Sequence, residues 1–253
     1  MVTRREVLGV AALAVTVGPR TARVARAQDD AQTLLTRAAD AMAALKSFHF
    51  QLETVDGRST IYENLELNKV VGDVVRPASF QATMTAKVAV IEVNVQVISI
   101  DGSVWVSDPL KAELSWQQVA SVDEGDSAAG SFTDLINPDR LFLQAVGLMD
   151  EAEIDGNEEI DGINTTVVTG VFDPARLIDL ASPVAGEAES DGLSGILTGE
   201  PVYLTVWIAD DGKVIRIEEE GPLTQSESDD VIRQIDFSAF DEPVEIVAPE
   251  VTE

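Results

Sequence analysis

The 253-residue chain contains no cysteine and a single histidine, His49. The first absence removes disulfides, thiolate metal sites and thiol catalysis together. The second leaves any histidine-based triad or metal site to be built on one residue. Aromatic residues are scarce, at 5% against 45% hydrophobic residues in all, so the apolar content is aliphatic. Basic residues are scarce as well: 17 Lys and Arg face 45 Asp and Glu, a net charge of −28. Such a surface repels nucleic acid phosphates and anionic head groups at long range, which excludes nucleic acid as a partner. The acidity reads as a solvation trait. No loop gathers carboxylates at metal-ligand spacing, and neither a metal nor another cofactor is expected. Beyond the first residues, no stretch approaches the roughly 20 apolar residues of a membrane-spanning helix.

What is present begins with an address label. Thr3-Arg4-Arg5-Glu6-Val7-Leu8 is a twin-arginine start. Gly9 to Gly18 is an apolar run too short to span a bilayer, and Ala25-Arg26-Ala27 places small residues before Gln28. Together these describe a cleavable export signal over residues 1–27. Its removal takes away five Arg and one Glu and leaves a mature chain of net charge −32. Residues 28–253 are expected to form one domain, since an all-β sheet of roughly 200–250 residues is commonly a single domain.

From Asp30 to Lys46 the chain has a helical period. Leu34, Leu35, Ala38, Met42 and Leu45 share one face. At Ser47 the period changes to two: Phe48, Phe50 and Leu52 point one way, His49, Gln51 and Glu53 the other. Alternation returns at Phe80–Val88, Ile91–Val97, Ser103–Ser107, Asn164–Phe172, Val202–Ala209, Val214–Glu220 and Val231–Phe237. Asp101-Gly102, Asp161-Gly162 and Asp211-Gly212 read as hairpin turns. Two helices are expected between strands. One runs from Pro138 to Met149, capped by Asn137; the other runs from Pro174 to Leu180, capped by Asp173. Ser121–Ser131 and Ser182–Gly199 read as loops. With no βαβ rhythm and no phosphate-cradling glycine loop, this order predicts an α+β fold with a large meandering antiparallel sheet.

Catalysis needs positioned acids, bases or nucleophiles, and the sequence offers poor candidates. His49 lies on the polar face of its strand. Glu218-Glu219-Glu220 alternates faces and is not expected to converge. Asp229-Asp230 sits in a polar turn, and neither Ser131 nor Ser194 has a nucleophile-elbow context. No catalytic residue is assigned. By periodicity alone the aliphatic stripes make either a packed core or the lining of an apolar space.

Several stretches carry a resemblance. They are Leu34-Leu35-Thr36-Arg37-Ala38 through Leu45-Lys46-Ser47-Phe48-His49-Phe50, Gly72-Asp73-Val74-Val75-Arg76-Pro77 with Phe80-Gln81-Ala82-Thr83, and Pro201 through Trp207-Ile208 to Glu220-Gly221-Pro222. Phe237-Ser238-Ala239-Phe240 to Ile246 is the last. In order and spacing the chain resembles the LppX/LprG-type family of bacterial envelope lipoproteins, related in fold to the LolA/LolB lipoprotein carriers. The resemblance implies a half-barrel: a curved antiparallel sheet with amphipathic helices covering its concave face and an acyl-chain cavity between. It implies binding of an acylated lipid or glycolipid and its carriage through the cell envelope. It transfers a region rather than residues. Within that region Met84, Ala86, Val93, Val95, Phe142, Val206 and Ile208 are the expected lipid-lining positions. Family members usually carry a lipidated cysteine at the mature start; this chain has none, so it is expected to be exported and soluble, in the periplasm, envelope or medium. A monomer with transient membrane contact is expected. A non-transporting sensor or adaptor on the same fold is the alternative, and an envelope hydrolase a distant third.

Export is directly testable. N-terminal sequencing of the exported protein should begin near Gln28, and replacing Arg4 and Arg5 with Lys should abolish or sharply slow export. An exported chain that still starts at Met1 contradicts the assignment.

Overall fold

The computed structural model describes residues 19–62, 65–109, 111, 114–120, 137–139, 142–176, 198 and 200–251. The first helix, α1 (Pro19–Ala44), leads into a sheet of twelve strands: β1 (Ser47–Asp56), β2 (Ser59–Tyr62), β3 (Leu65–Val75), β4 (Ser79–Val88), β5 (Ile91–Ile100), β6 (Ser103–Ser107), β7 (Trp116–Ala120), β8 (Asp150–Ile160), β9 (Ile163–Phe172), β10 (Val202–Ala209), β11 (Val214–Glu220) and β12 (Ile232–Ser238). A short helix, α2 (Phe142–Gly147), precedes β8. The strand order is β7-β6-β5-β4-β3-β1-β12-β11-β10-β9-β8, with β2 paired to β3 off this path. Every pairing is antiparallel. The sheet is open, since β7 and β8 at its ends pair with no further strand among the described residues. This is the curved-sheet α+β architecture that the sequence pattern and the resemblance imply.

β1 and β12 meet in the middle, so the first and last strands of the sheet are neighbours. Their register sets Phe50 opposite Phe237 and Leu52 opposite Ile235. On the other side of β1, Phe50 faces Gly72 and Phe48 faces Val74. Gly72 is required by the close approach of β4: a Cβ there would lie 2.2 Å from the Gln81 carbonyl oxygen. Phe50 stacks on Phe80, with ring centroids 5.9 Å apart, and Phe48 meets Phe237 edge-on at 5.8 Å.

The buried stripe of α1 is Ala31, Leu35, Ala38 and Met42, continued by Leu45 just past its end, and it joins the same apolar cluster as the inward residues of the sheet. The helix starts at Pro19 rather than at the expected Asp30. Residues 1–18 of the expected signal lie outside the described residues. The stripe lies wholly after Ala27, so cleavage there would leave the packed face of the helix whole.

Three strands, β6, β10 and β11, have the expected bounds. Four others, β2, β3, β7 and β8, are absent from the alternation reading. β8 carries Asp150, Glu151, Glu153, Asp155, Glu158 and Glu159 on both faces, with register shifts between Asp150 and Glu153 and between Ile154 and Gly156. A charged, bulged edge strand resists pairing with another chain.

Of the helix expected from Pro138 to Met149, the described residues show α2. Asn137 does cap, its Oδ1 accepting the Asp139 N–H at 3.0 Å. Pro138 and Asp139 then form a turn, and the Leu143 N–H bonds back to the Pro138 carbonyl at 2.9 Å. The turn delivers the Asp139 carboxylate to the Arg76 guanidinium. Likewise the Asp173 Oδ1 accepts the Ala175 N–H at 2.9 Å, as expected of a cap, but the expected helix beyond Arg176 lies outside the described residues. So do the expected loops, apart from Thr198.

The alternation in β1 makes a sharp mutational contrast. Phe50→Ala should cost about 3–5 kcal/mol of unfolding free energy, because a fully buried ring leaves a cavity. His49→Ala, one residue away on the half-exposed face, should cost under about 1 kcal/mol. Chemical denaturation of both variants measures this, and comparable losses would contradict the assigned faces.

Candidate functional site

Antiparallel registers fix which side chains share the face beneath α1. Val74, Val70 and Leu67 of β3 stand opposite Phe80, Met84 and Ala86 of β4. Met84 pairs with Val95 of β5, and Ala86 with Val93. These four expected lining residues therefore form two adjacent cross-strand pairs. Met84 and Ala86 are fully buried and Val95 nearly so, while Val93 is half-buried. On the other wing Val206 pairs with Ile217 and Val168, and Ile208 pairs with Val214. Both are buried in the same cluster. The Val214 N–H points at the Met42 sulfur of α1, 3.3 Å away. Five strand spacings separate β4 from β10, about 24 Å along the sheet. Thus the structure puts six of the seven positions on one face but in two groups. Phe142 opens α2, and its side chain lies outside the described residues.

Burial along this face is graded. In β5 the inward row is Val97, Val95, Val93 and Ile91. Val97 is sealed, Val95 is 8% exposed, and Ile91 is 62% exposed. The apolar row runs unbroken from the core to solvent.

At the opposite end of the strands a cavity of ≈ 530 Å³ opens between α1, α2 and the Arg76–Pro77 turn. Ala39, Met42, Ala43, Leu143 and Leu148 give it apolar walls, with Asp40, Arg76 and Asp139 among its polar groups. Arg76 organises this end. Its guanidinium donates to the Leu45 carbonyl at 2.8 Å and to the Met42 carbonyl, satisfying the C-terminus of α1. It also pairs with Asp139 and lies 5.5 Å over the Phe48 ring. The Gly-Asp-Val-Val-Arg-Pro run marked this place in the sequence, but nothing in it named Asp139 as the partner, 63 residues on.

His49 lies on the outer face as expected. Its Nδ1 is 2.8 Å from the Asp73 carboxylate, whose other oxygen accepts from Gln81 at 2.8 Å. These three line a shallow ≈ 270 Å³ depression on the face away from α1.

One charged group on the inner face escaped the sequence reading. The alternation of Glu218, Glu219 and Glu220 is as expected, and for that reason Glu219 points inward. There it meets Arg233 of β12 and, through Arg233, Glu227 from the loop after β11. Arg233 also donates to Ser59 of β2 at 3.1 Å, and Glu227 accepts the N–H groups of Leu223 and Thr224. All three charges are buried. Burial alone would lower the Arg233 pKa, but the two carboxylates outweigh it and hold the cation charged. Glu219 goes the other way. Loss of water raises its carboxyl from 4.5 to about 7, against the pull of Arg233 and helped by Glu227, and its Oε1 has no hydrogen-bond partner. Carboxylate pairs are cheap in so acidic a sequence, which hid this one.

Comparison with known proteins adds the following. The model of the LppX_LprAFG lipoprotein family matches residues 30–246. Lipoprotein LprA of Mycobacterium tuberculosis is 25% identical over 186 residues, covering 72% of this chain and 68% of that protein. The crystal structure of LprF from Mycobacterium bovis superposes with a TM-score of 0.58 at 21% identity, over 87% of this chain and 97% of that one. Lipoprotein LppX of Mycobacterium tuberculosis gives 0.53 at 20%, over 87% and 99%. At these identities the two structures speak for the fold.

The raised Glu219 carboxyl gives a pH signature. A group with a folded pKa above its unfolded one stabilises fully below the unfolded value, and that contribution is lost as pH rises through the folded value. Between pH 5 and 8 the wild type should therefore lose stability relative to Glu219→Gln, by up to about 3 kcal/mol. Parallel pH–stability curves for the two proteins would contradict the buried, partly neutral carboxyl.

Proposed function

Because the chain belongs to the LppX_LprAFG lipoprotein family, we propose that it binds an acylated lipid or glycolipid between the inner face of the sheet and its helices and carries it through the bacterial envelope. The observation that carries this reading is the continuous aliphatic face, sealed at Val97 and open at Ile91. An acyl chain gains about 0.8 kcal/mol per buried methylene, so a long chain binds such a face without any charged contact. The acidic surface adds nothing to affinity for anionic head groups, so the tails dominate. No catalytic step is part of the proposal. The protein is proposed to act after loss of residues 1–27, as a monomer of residues 28–253. Its 253 residues offer no cysteine for acylation, and it is proposed to diffuse as a free carrier.

The lining positions Met84, Ala86, Val93, Val95, Phe142, Val206 and Ile208 are part of the proposal, and Ala86 tests them. Ala86→Phe fills volume while staying apolar. If lipid occupies the space beside Ala86, the variant keeps its melting temperature and takes up less fluorescent fatty acid than delipidated wild type. If the space is packed protein, overpacking costs about 1–3 kcal/mol, the melting temperature falls, and wild type takes up no lipid. The latter pair of results would end the carrier proposal. His49→Ala should leave uptake within tenfold, about 1.4 kcal/mol, of wild type.

A further inference from the structure

Among the described residues, three hairpin turns consist of two residues each. Those between β5 and β6 and between β8 and β9 use Asp101-Gly102 and Asp161-Gly162, with φ of 49° and 85°, and of 50° and 82°. Aspartate and glycine suit such turns, because they take positive φ at little cost and are at home in water. The turn between β4 and β5 breaks the pattern. It is Ala89-Val90, with Ala89 at a φ of 57°. Val90 is 87% exposed and Ile91, the next residue, 62%. An aliphatic turn in a left-handed conformation, held out in solvent, has neither a folding nor a solubility rationale.

Its surroundings differ from the rest of the surface too. From Ser79 to Ile100 only Lys87 and Glu92 are charged, and they stand directly opposite each other. This hairpin is neutral in a chain of net charge −28. It can approach a lipid surface without the repulsion the rest of the molecule would meet. Ile91 is also the outermost residue of the inward row Val97, Val95, Val93. The pair Ala86–Val93 lies about 7 Å up the strands from the tip.

We propose that the tip Ala89-Val90-Ile91 is the element that docks the protein on a lipid bilayer, and that acyl chains pass between bilayer and inner face along Ile91, Val93 and Val95. This rests on the carrier reading and names its membrane contact. Val90 enters the bilayer interface, the neutral hairpin stands over it, and the acidic body is kept away. Docking is therefore strongest on zwitterionic lipid. Anionic lipid weakens it, and salt, which shortens the reach of the body's charge, restores it.

The absence of cysteine makes the test clean. Val90→Cys and Asn164→Cys, at opposite ends of the sheet, each take one environment-sensitive fluorophore. With phosphatidylcholine vesicles the label at 90 should brighten and shift to the blue, and the label at 164 should not respond. Replacing a third of the lipid with phosphatidylglycerol should reduce the response, and added salt should recover it. Val90→Asp, at so exposed a position, should keep the wild-type melting temperature. It should lower vesicle partition more than about tenfold and slow extraction of fluorescent fatty acid from vesicles, while uptake from vesicle-free solution stays unchanged. Val90→Leu should dock as wild type does. The docking proposal is overturned if Val90→Asp partitions and extracts like wild type, or if the label at 164 responds as strongly as that at 90. Failure of wild type to take up fatty acid from solution would instead sink the carrier reading, and the vesicle response would still decide docking.

Discussion

The structure depends on the register of β1 between β3 and β12. Slipping that strand by one residue would turn Phe48, Phe50 and Leu52 to solvent and bring His49, Gln51 and Glu53 under α1. Because β1 and β12 are the first and last strands of the sheet, the two wings meet along this seam. Phe50 opposite Phe237, Leu52 opposite Ile235 and Phe48 opposite Val74 fix it. Arg76 fastens the same point from above by satisfying the end of α1 and holding Asp139. The consequence is one dry face shared by both wings, in a chain whose charge would otherwise favour expansion.

Strands that bury one face against water on the other were legible in the sequence, because period-two alternation is their direct imprint. β6, β10 and β11 were legible to the residue. β8 was not, since its carboxylates fall on both faces and its buried apolar residues are only Ala152 and Ile160, eight residues apart. β3 was hidden differently: it carries Gly72 mid-strand, a residue that weakens a strand pattern, and Gly72 is small because Gln81 and Ala82 of β4 crowd it. Asp139, near the start of the expected helix, pairs with Arg76, 63 residues back in the chain. Local pattern carries no information about such a partner. The same limit hid Glu219 with Arg233, while the inward-facing aliphatic positions of β4, β5 and β10 followed from alternation alone.

Apolar and charged groups divide the work of the inner face. The aliphatic row supplies area without direction, which suits a ligand made of methylenes. The buried Arg233 with Glu219 and Glu227 ties β2, β11, β12 and the loop after β11 into one unit at the end of the strands where β1 turns into β2. Buried ion clusters contribute little net stability, but removing one member is costly, so they hold geometry more than they add free energy.

The central claim is that acyl lipid occupies this face. Native mass spectrometry of the exported protein, taken directly from its envelope or medium and again after extraction with organic solvent, tests it most directly. The expected result is a polypeptide carrying one acylated lipid before extraction and regaining one when lipid is added back. A bare polypeptide in both states, with no adduct on adding acylated lipid, would contradict it.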